Sequence, residues 1–171
     1  MRNELPRDLN CFICGRDNPY GLRLYFKSLD HNSVSAKFVP KDHLAGFKGM
    51  LHGGIISAVL DDAMDWALYN STKKLYVTAQ LTVSFHRPCP VGEQLEVVAS
   101  SQRDEDLRIR KIEYAKASLL DQKGELIASA EGKFFQIQDE KANKLMEEFC
   151  YGPSDDSEDK EHRDSCPHRC G

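Results

Sequence analysis

The sequence lacks the features that would place the chain in a membrane, in the secretory pathway or on a nucleic acid. No apolar run approaches the roughly 20 residues that a membrane-spanning helix needs, and the polar first ten residues lack the apolar core of a signal peptide. Three of the four net negative charges fall in residues 151–171, so the rest of the chain carries no broad basic field. These absences predict a cytoplasmic protein without a membrane or nucleic-acid partner.

The composition is ordinary for a globular domain, with 40% hydrophobic and 29% charged residues in a chain of 171. That length suffices for one domain with a real core. We divide the chain into an irregular N-terminal segment with a Cys-x-x-Cys motif (1–20), a main domain (21–138), a short C-terminal helix (139–150) and an acidic, disordered tail (151–171).

The hydrophobic pattern predicts several strands and one buried helix. Apolar residues at helical spacing predict a helix over 54–69. Strict alternation over 75–86 predicts a strand with one buried face and one polar face, and it puts Thr78 on the polar face. Further strands are predicted at 22–29, 33–39, 93–102, 107–120 and 125–138, with a final helix over 141–149. This order indicates an α+β fold with one antiparallel sheet around a central helix.

The start of the central helix carries the most informative motif, His52-Gly53-Gly54. Without a Cβ, both glycines leave backbone N–H groups open to a ligand, and the partial positive charge of a helix N-terminus suits an oxyanion. Asp61 and Asp62 stand in the middle of the same apolar helix, where a carboxylate is costly to bury. Backbone N–H donors and carboxylates that are costly to bury lie on the same helix, and this combination indicates hydrolytic chemistry.

Motifs spread over residues 11–137 together resemble the hotdog-fold acyl-CoA thioesterases, in particular the PaaI-like (phenylacetic-acid-degradation type) thioesterases. These motifs are Cys11-x-x-Cys14-Gly15, Asn18-Pro19-x-Gly21-Leu22, Gly49-x-x-His52-Gly53-Gly54-Ile55, Leu60-Asp61-Asp62-Ala63-Met64, Thr78-x-x-Leu81, Arg87-Pro88 and Val91-Gly92-Glu93. The resemblance implies a hotdog fold, in which an antiparallel sheet wraps around a long central helix. It also implies a thioester hydrolase that acts on an acyl-CoA.

The resemblance assigns roles to individual residues. The N–H group of Gly53 would donate to the thioester carbonyl, Asp61 would be the catalytic carboxylate, and Thr78 would help to hold the water or that carboxylate. Asp62 stands where many family members have glutamate, which makes it the second acidic candidate. Whether Asp61 attacks the carbonyl carbon itself or activates water stays open.

The spacing of Gly53 and Asp61 creates a conflict within one chain. They are eight residues apart on one helix, which is about 12 Å at roughly 1.5 Å per residue. One thioester carbonyl needs both groups within about 3.5 Å. The resemblance resolves this conflict, because hotdog thioesterases have their active sites at a subunit interface. We therefore expect a homodimer or a dimer of dimers, with Gly53 of one chain facing Asp61 of the other.

Five residues are candidates for substrate binding, namely Gly54, Ser57, Trp66, Arg103 and Arg108. Ser57 shares a polar stripe of the helix with Asp61. Trp66 either borders an acyl pocket or packs in the core, and the arginines either meet CoA phosphates or are solvated strand ends. His52 is either a turn residue that hydrogen-bonds the backbone or a general base.

Two cysteine motifs have spacings that suit the halves of a zinc site, Cys11-x-x-Cys14 and Cys166-Pro167-His168-Arg169-Cys170. The thioesterases that the chain resembles do not require a metal, and CoA is part of their substrate. We therefore expect neither a metal nor a cofactor. On that expectation, the first cysteine pair packs as small apolar side chains.

Two other functions compete with thioester hydrolysis. A non-catalytic acyl-CoA-binding regulatory protein would share the fold and bind the same ligand. A hotdog dehydratase would need a catalytic histidine and an acid in an arrangement that His52, which lies before the helix, does not match. The sequence leaves open the acyl group and whether CoA or an acyl carrier protein carries it.

Overall fold

Helix α1 (Gly53–Thr72) is the longest element of the computed structural model, which describes residues 5–102 and 111–150. His52 caps its start, because the Nδ1 atom accepts the N–H of Gly54 at 2.9 Å. Lys73 ends it in the left-handed conformation, with φ of 59°. The helix predicted over 54–69 is confirmed, and it continues for three residues beyond the predicted end.

The side chain of Asn70 explains this continuation. Its buried Nδ2 donates to the backbone oxygens of Asp30 at 2.6 Å and His31 at 3.2 Å, and to Oγ of Ser28 at 3.1 Å. A buried amide needs such partners. A polar residue that the pattern places outside the helix therefore anchors the helix end to the turn at 28–33.

Ten strands lie within the described residues. They are β1 (Arg7–Asp8), β2 (Lys27–Ser28), β3 (Ser33–Phe38), β4 (Ala45–Phe47), β5 (Met50–Leu51), β6 (Tyr76–Phe85), β7 (Leu95–Ser101), β8 (Ile112–Asp121), β9 (Leu126–Gln136) and β10 (Phe149–Cys150). Six of them form one antiparallel sheet in the order β2-β3-β7-β8-β9-β6. Helix α1 packs on this sheet and contacts β3, β6, β7, β8 and β9. The α+β architecture predicted from the sequence is confirmed.

The strand predicted over 22–29 is wrong for most of its length. Only β2 joins the sheet. The residues before it bond instead to the N-terminal segment, where the N–H groups of Leu22 and Leu24 donate to the backbone oxygens of Phe12 and Ile13. The N-terminal segment buries Leu5 and Ile13 in the core, and this packing directs the chain away from the sheet.

A β-bulge in β6 gives the residues before it the opposite face of the strand from the one predicted. Thr78 is opposite Phe134 on β9, but Gln80 is already opposite Lys133, so Ala79 is an extra residue in the ladder. Because strand side chains alternate, one inserted residue reverses the faces. After the bulge, Leu81 packs against the core as predicted. Before the bulge, Thr78 faces α1, and the prediction that it lies on the opposite, polar face is wrong.

The strands predicted at 33–39, 93–102, 107–120 and 125–138 correspond to β3, β7, β8 and β9, with 107–110 and the tail at 151–171 outside the described residues. The short strands β1, β4, β5 and β10 were not predicted. Helix α2 (Asp139–Met146) begins two residues before the predicted start. The helix ends at Met146, before the predicted end at 149, because the chain after it forms β10, which pairs with β1. Within 5–102 and 111–150, no helix is both long enough and apolar enough to span a membrane.

Candidate active site

The first turn of α1 presents one free backbone donor. The N–H of Gly54 is engaged by Nδ1 of His52, so the expectation that both glycine amides are open is wrong for Gly54. The next two amides, of Ile55 and Ile56, donate to the backbone oxygen of His52. The N–H of Gly53 has no acceptor among the described residues. Among the described residues of this turn, Gly53 is therefore the one whose N–H is open to an acceptor from outside the chain.

The same hydrogen bond defines the role of His52. Nδ1 accepts the backbone N–H of Gly54, so this nitrogen is engaged in the helix cap. A Cβ on Gly54 would lie only 3.0 Å from this nitrogen, so the second glycine makes room for the cap. Of the two predicted alternatives, the geometry supports the turn residue that bonds the backbone.

An open cleft of about 480 Å³ lies at Gly53. This volume is within the range of small-molecule sites. Its walls are largely apolar and include Phe47, Met50, Ile56 and Phe85. None of these four residues was predicted to line the site. Phe47 and Met50 belong to the loop at 44–50, whose conformation cannot be derived from its residues, and Ile56 and Phe85 have the spacing of core positions on α1 and β6. The place of Phe47 and Met50 just before His-Gly-Gly is the signal that was available.

Asp61 lies farther along α1 and is held by β6. Oγ1 of Thr78 donates to Oδ1 of Asp61 at 2.8 Å. Burial raises the pKa of Asp61 above its usual range, and the hydrogen bond from Thr78 opposes that shift. Neither residue lines the cleft at Gly53. One chain therefore carries the donor and the carboxylate at two separate places.

Asp62 faces a different environment from its neighbour Asp61. Its Oδ1 atom lies 3.5 Å from Sγ of Cys11, and its Oδ2 atom is buried and has no hydrogen-bond partner among the described residues. Burial raises the pKa of Asp62 well above its usual range, and the nearby Cys11 sulfur raises it further. Adjacent residues point about 100° apart around a helix, which separates this carboxylate from Thr78. The structure does not bring Asp62 to the same place as Asp61.

The other predicted substrate-binding residues are dispersed. Oγ of Ser57 donates to the backbone oxygen of Gly53 at 2.9 Å, so it supports the helix start. Trp66 is buried and packs against Tyr69 and Phe149. It lines a second cavity, of about 180 Å³, which does not include Gly53. Arg103 and Arg108 lie outside the described residues.

The second cavity also contains Cys11, Cys14, Asp62 and Asp65. The Cys14 thiol and the N–H groups of Cys14 and Ile13 donate toward Sγ of Cys11 and lower the pKa of its thiol to about 6, although burial opposes them. The pKa of the Cys14 thiol is raised, first by this hydrogen bond and then by burial. Oδ1 of Asp65 is buried and has no hydrogen-bond partner within 5–102 and 111–150, and burial raises the pKa of that carboxyl as well.

Part of the chain is similar to a known protein family. Residues 48–103, which include Gly53, Asp61 and Thr78, match the family described as Thioesterase superfamily. The acyl-coenzyme A thioesterase THEM4 of Bos taurus is 31% identical over 119 residues, which is 69% of this chain and 47% of that protein. The chain spans about half the length of the curated relatives it matches.

Solved structures share the architecture. The thioesterase superfamily protein RHA08564 superposes with a TM-score of 0.66 at 23% identity, over 72% of this chain and 62% of that one. The PaaI protein of the E. coli phenylacetic acid degradation operon gives a TM-score of 0.60 at 19% identity, over 68% and 81%. The chain therefore has the hotdog fold that these structures share, and residues 48–103 within it match the Thioesterase superfamily.

Proposed function

We propose that this protein is an acyl-CoA thioesterase that works as a homodimer. The observation that carries the proposal is the separation, on one helix, of a free Gly53 N–H in an apolar cleft and an Asp61 carboxylate held by Thr78. Both groups have the chemistry that thioester hydrolysis requires. The 31% identity to a protein named an acyl-coenzyme A thioesterase supports the substrate class.

The edge of the sheet suggests how two chains would meet. Strand β6 is ten residues long and lies at the end of the six-stranded sheet, where β9 is its one neighbour among the described strands. A long unpaired edge is a ready site for a further strand. If β6 paired with β6 of a second copy around a two-fold axis, the two α1 helices would run antiparallel. Each Gly53 would then approach Asp61 of the partner subunit.

The reaction in this arrangement has two possible routes. In the first, Asp61 takes a proton from water as the water oxygen attacks the carbonyl carbon. In the second, the carboxylate of Asp61 attacks that carbon to give a mixed anhydride, which water then hydrolyses. In both, the N–H of Gly53 would stabilise the oxyanion, the C–S bond breaks, and the CoA thiolate leaves and takes up a proton. The products are a carboxylic acid and free CoA.

The test is thiol release from acyl-CoA esters with short, long and aromatic acyl groups. Because a general base contributes about 10²- to 10⁴-fold to a rate, Asp61→Asn should lower kcat by at least about 100-fold. Asp139→Asn, which changes an exposed carboxylate on α2, should not lower it. Wild-type chains that are stabilised by acyl-CoA but release no thiol would overturn the proposal in favour of a binding protein. If the protein cleaves only acyl esters of acyl carrier protein, that protein and not CoA carries the acyl group of the substrate.

A further inference from the structure

Three metal-binding side chains meet beside the second cavity. One ligand atom from each of Cys11, Cys14 and Asp62 lies within 4.8 Å of the other two. The cysteines come from the N-terminal segment and the aspartate from the middle of α1, so the fold assembles this group from two parts of the chain. The group lies outside the cleft at Gly53 and does not include Asp61.

The turn at Cys11 is shaped to hold a thiolate. The backbone N–H groups of Ile13 and Cys14 point at Sγ of Cys11, at 3.3 and 3.4 Å. The N–H of Gly15 closes the turn by donating to the backbone oxygen of Cys11 at 2.9 Å. A Cβ on Gly15 would lie 2.3 Å from that oxygen, so the close turn requires glycine. Backbone donors stabilise the charged sulfur, and the thiolate is the form that binds metals.

Asp62 places a carboxylate oxygen beside the sulfur atom of Cys11. Its Oδ1 is 3.5 Å from Sγ of Cys11, and its Oδ2 is buried with no hydrogen-bond partner in the part of the chain that the structure describes. In tetrahedral zinc coordination, bonds of about 2.3 Å to sulfur and about 2.0 Å to oxygen leave the two ligand atoms about 3.5 Å apart. A divalent cation would also neutralise most of the charge of two thiolates and a carboxylate, which are otherwise costly to bury.

We propose that Cys11, Cys14 and Asp62 bind one zinc ion. Two sulfur ligands favour zinc over magnesium or calcium, which prefer all-oxygen sites. The three ligands leave one position of a tetrahedron for water or another group. The ion would tie the N-terminal segment to α1 one residue from Asp61. This assignment departs from the expectation of no metal, which rested on the family resemblance, and it does not depend on the proposed hydrolysis.

The first test is the metal content of the purified full chain. The chain is stripped with a chelator and titrated with zinc against a chromophoric chelator. Wild-type chains should bind about one equivalent, and both Cys11→Ser and Asp62→Asn should weaken binding by at least about 100-fold. Cys89→Ala is the matched control, because Cys89 is a buried free cysteine outside the cluster. It should bind zinc as the wild type does.

The tail cysteines require a separate control, because Cys166 and Cys170 lie outside the described residues. A full chain with Cys166→Ser and Cys170→Ser should keep the zinc. If this double variant loses the ion while Cys11→Ser retains it, the proposal is wrong. Equal binding by the Cys11→Ser and Cys89→Ala variants would also overturn it.

A folding readout covers the case in which Cys11→Ser does not fold. Binding to the native state alone stabilises it by mass action, so saturating zinc should raise the Tm of the stripped wild-type chain. Cobalt in place of zinc should give the absorption of a tetrahedral thiolate site. A stripped wild-type chain that neither gains Tm with zinc nor shows this cobalt absorption would rule out the site.

Discussion

Oγ1 of Thr78 donates a 2.8 Å hydrogen bond to Oδ1 of Asp61, and it does so because Ala79 forms a bulge in β6. Without the extra residue, the alternation that puts Leu81 on the core would put Thr78 on the outer face of the sheet. The bulge thus joins a strand residue to the helix carboxylate that the proposed reaction uses.

Removing this hydrogen bond should slow the reaction without unfolding the chain. A hydrogen bond to a charged group is worth about 1.5–3 kcal/mol, so Thr78→Val should lower kcat/KM for an acyl-CoA by roughly 10- to 100-fold. Thr82→Val changes an exposed threonine beyond the bulge on the same strand and should have little effect. Equal losses in the two variants would show that the strand surface, rather than the bond to Asp61, is responsible.

Subunit complementation should reveal an active site shared between chains. Gly53→Pro removes the free N–H at the first helical position, where proline is well tolerated. His52 already has the extended conformation, with φ of −63° and ψ of 133°, that suits a residue before proline. Gly53→Pro and Asp61→Asn should each be inactive as homodimers, losing at least about 100-fold in kcat.

Co-expressing the two variants should restore activity. Random pairing makes half of the dimers mixed, and each mixed dimer has one intact site, so about a quarter of wild-type activity should return. Separately purified variants assayed side by side, without exchange of subunits, are the control. No recovery in verified mixed dimers would mean that each chain supplies its own site.

His52 should act through the cap that it forms with Gly54. His52→Ala removes the acceptor and should lower the free energy of unfolding by about 1 kcal/mol in urea titrations. His52→Asn supplies another good cap and should recover most of that stability. If His52 were instead the general base, the asparagine variant would be stable but would lose about 10²- to 10⁴-fold in kcat.

Asp121 should make stability depend on pH. The backbone N–H groups of Glu125 and Lys123 donate to its carboxylate, and they and Arg87 lower the pKa of Asp121. A carboxyl with a lower pKa in the folded state stabilises the protein above its unfolded pKa, and this contribution is lost as the pH falls through the folded value. The difference in unfolding free energy between wild type and Asp121→Asn should therefore shrink below about pH 4. A constant difference from pH 7 to pH 3 would contradict this.

The sequence predicted the parts of the fold that local periodicity determines. Helix α1 and the strands from β6 to β9 follow from spacings of apolar residues within single segments. It failed where distant segments compete, as at Leu22 and Leu24, which bond to Phe12 and Ile13 instead of entering the sheet. It also placed Thr78 on the wrong face, because one inserted residue leaves no periodic signal of its own.

The candidate site was likewise predicted only in part. Gly53 and Asp61 became candidates through the family resemblance of their motifs, but which of the two glycine amides is free depends on the orientation of the His52 ring. The meeting of Cys11 with Asp62 joins residues 51 positions apart, and no local pattern predicts a contact at that distance.

The amide of Asn70, together with the buried apolar face of α1, fixes the rotation of this helix about its axis. A turn of the helix by about 100° would exchange Asp61 and Asp62, and the amide of Asn70 resists that turn by fixing the far end to the backbone of Asp30 and His31. Substitutions in the loop at 28–33, which is remote from any reacting atom, can thus change which carboxylate meets Thr78. Screens for altered activity should sample residues 28–33 as well as the walls of the cleft.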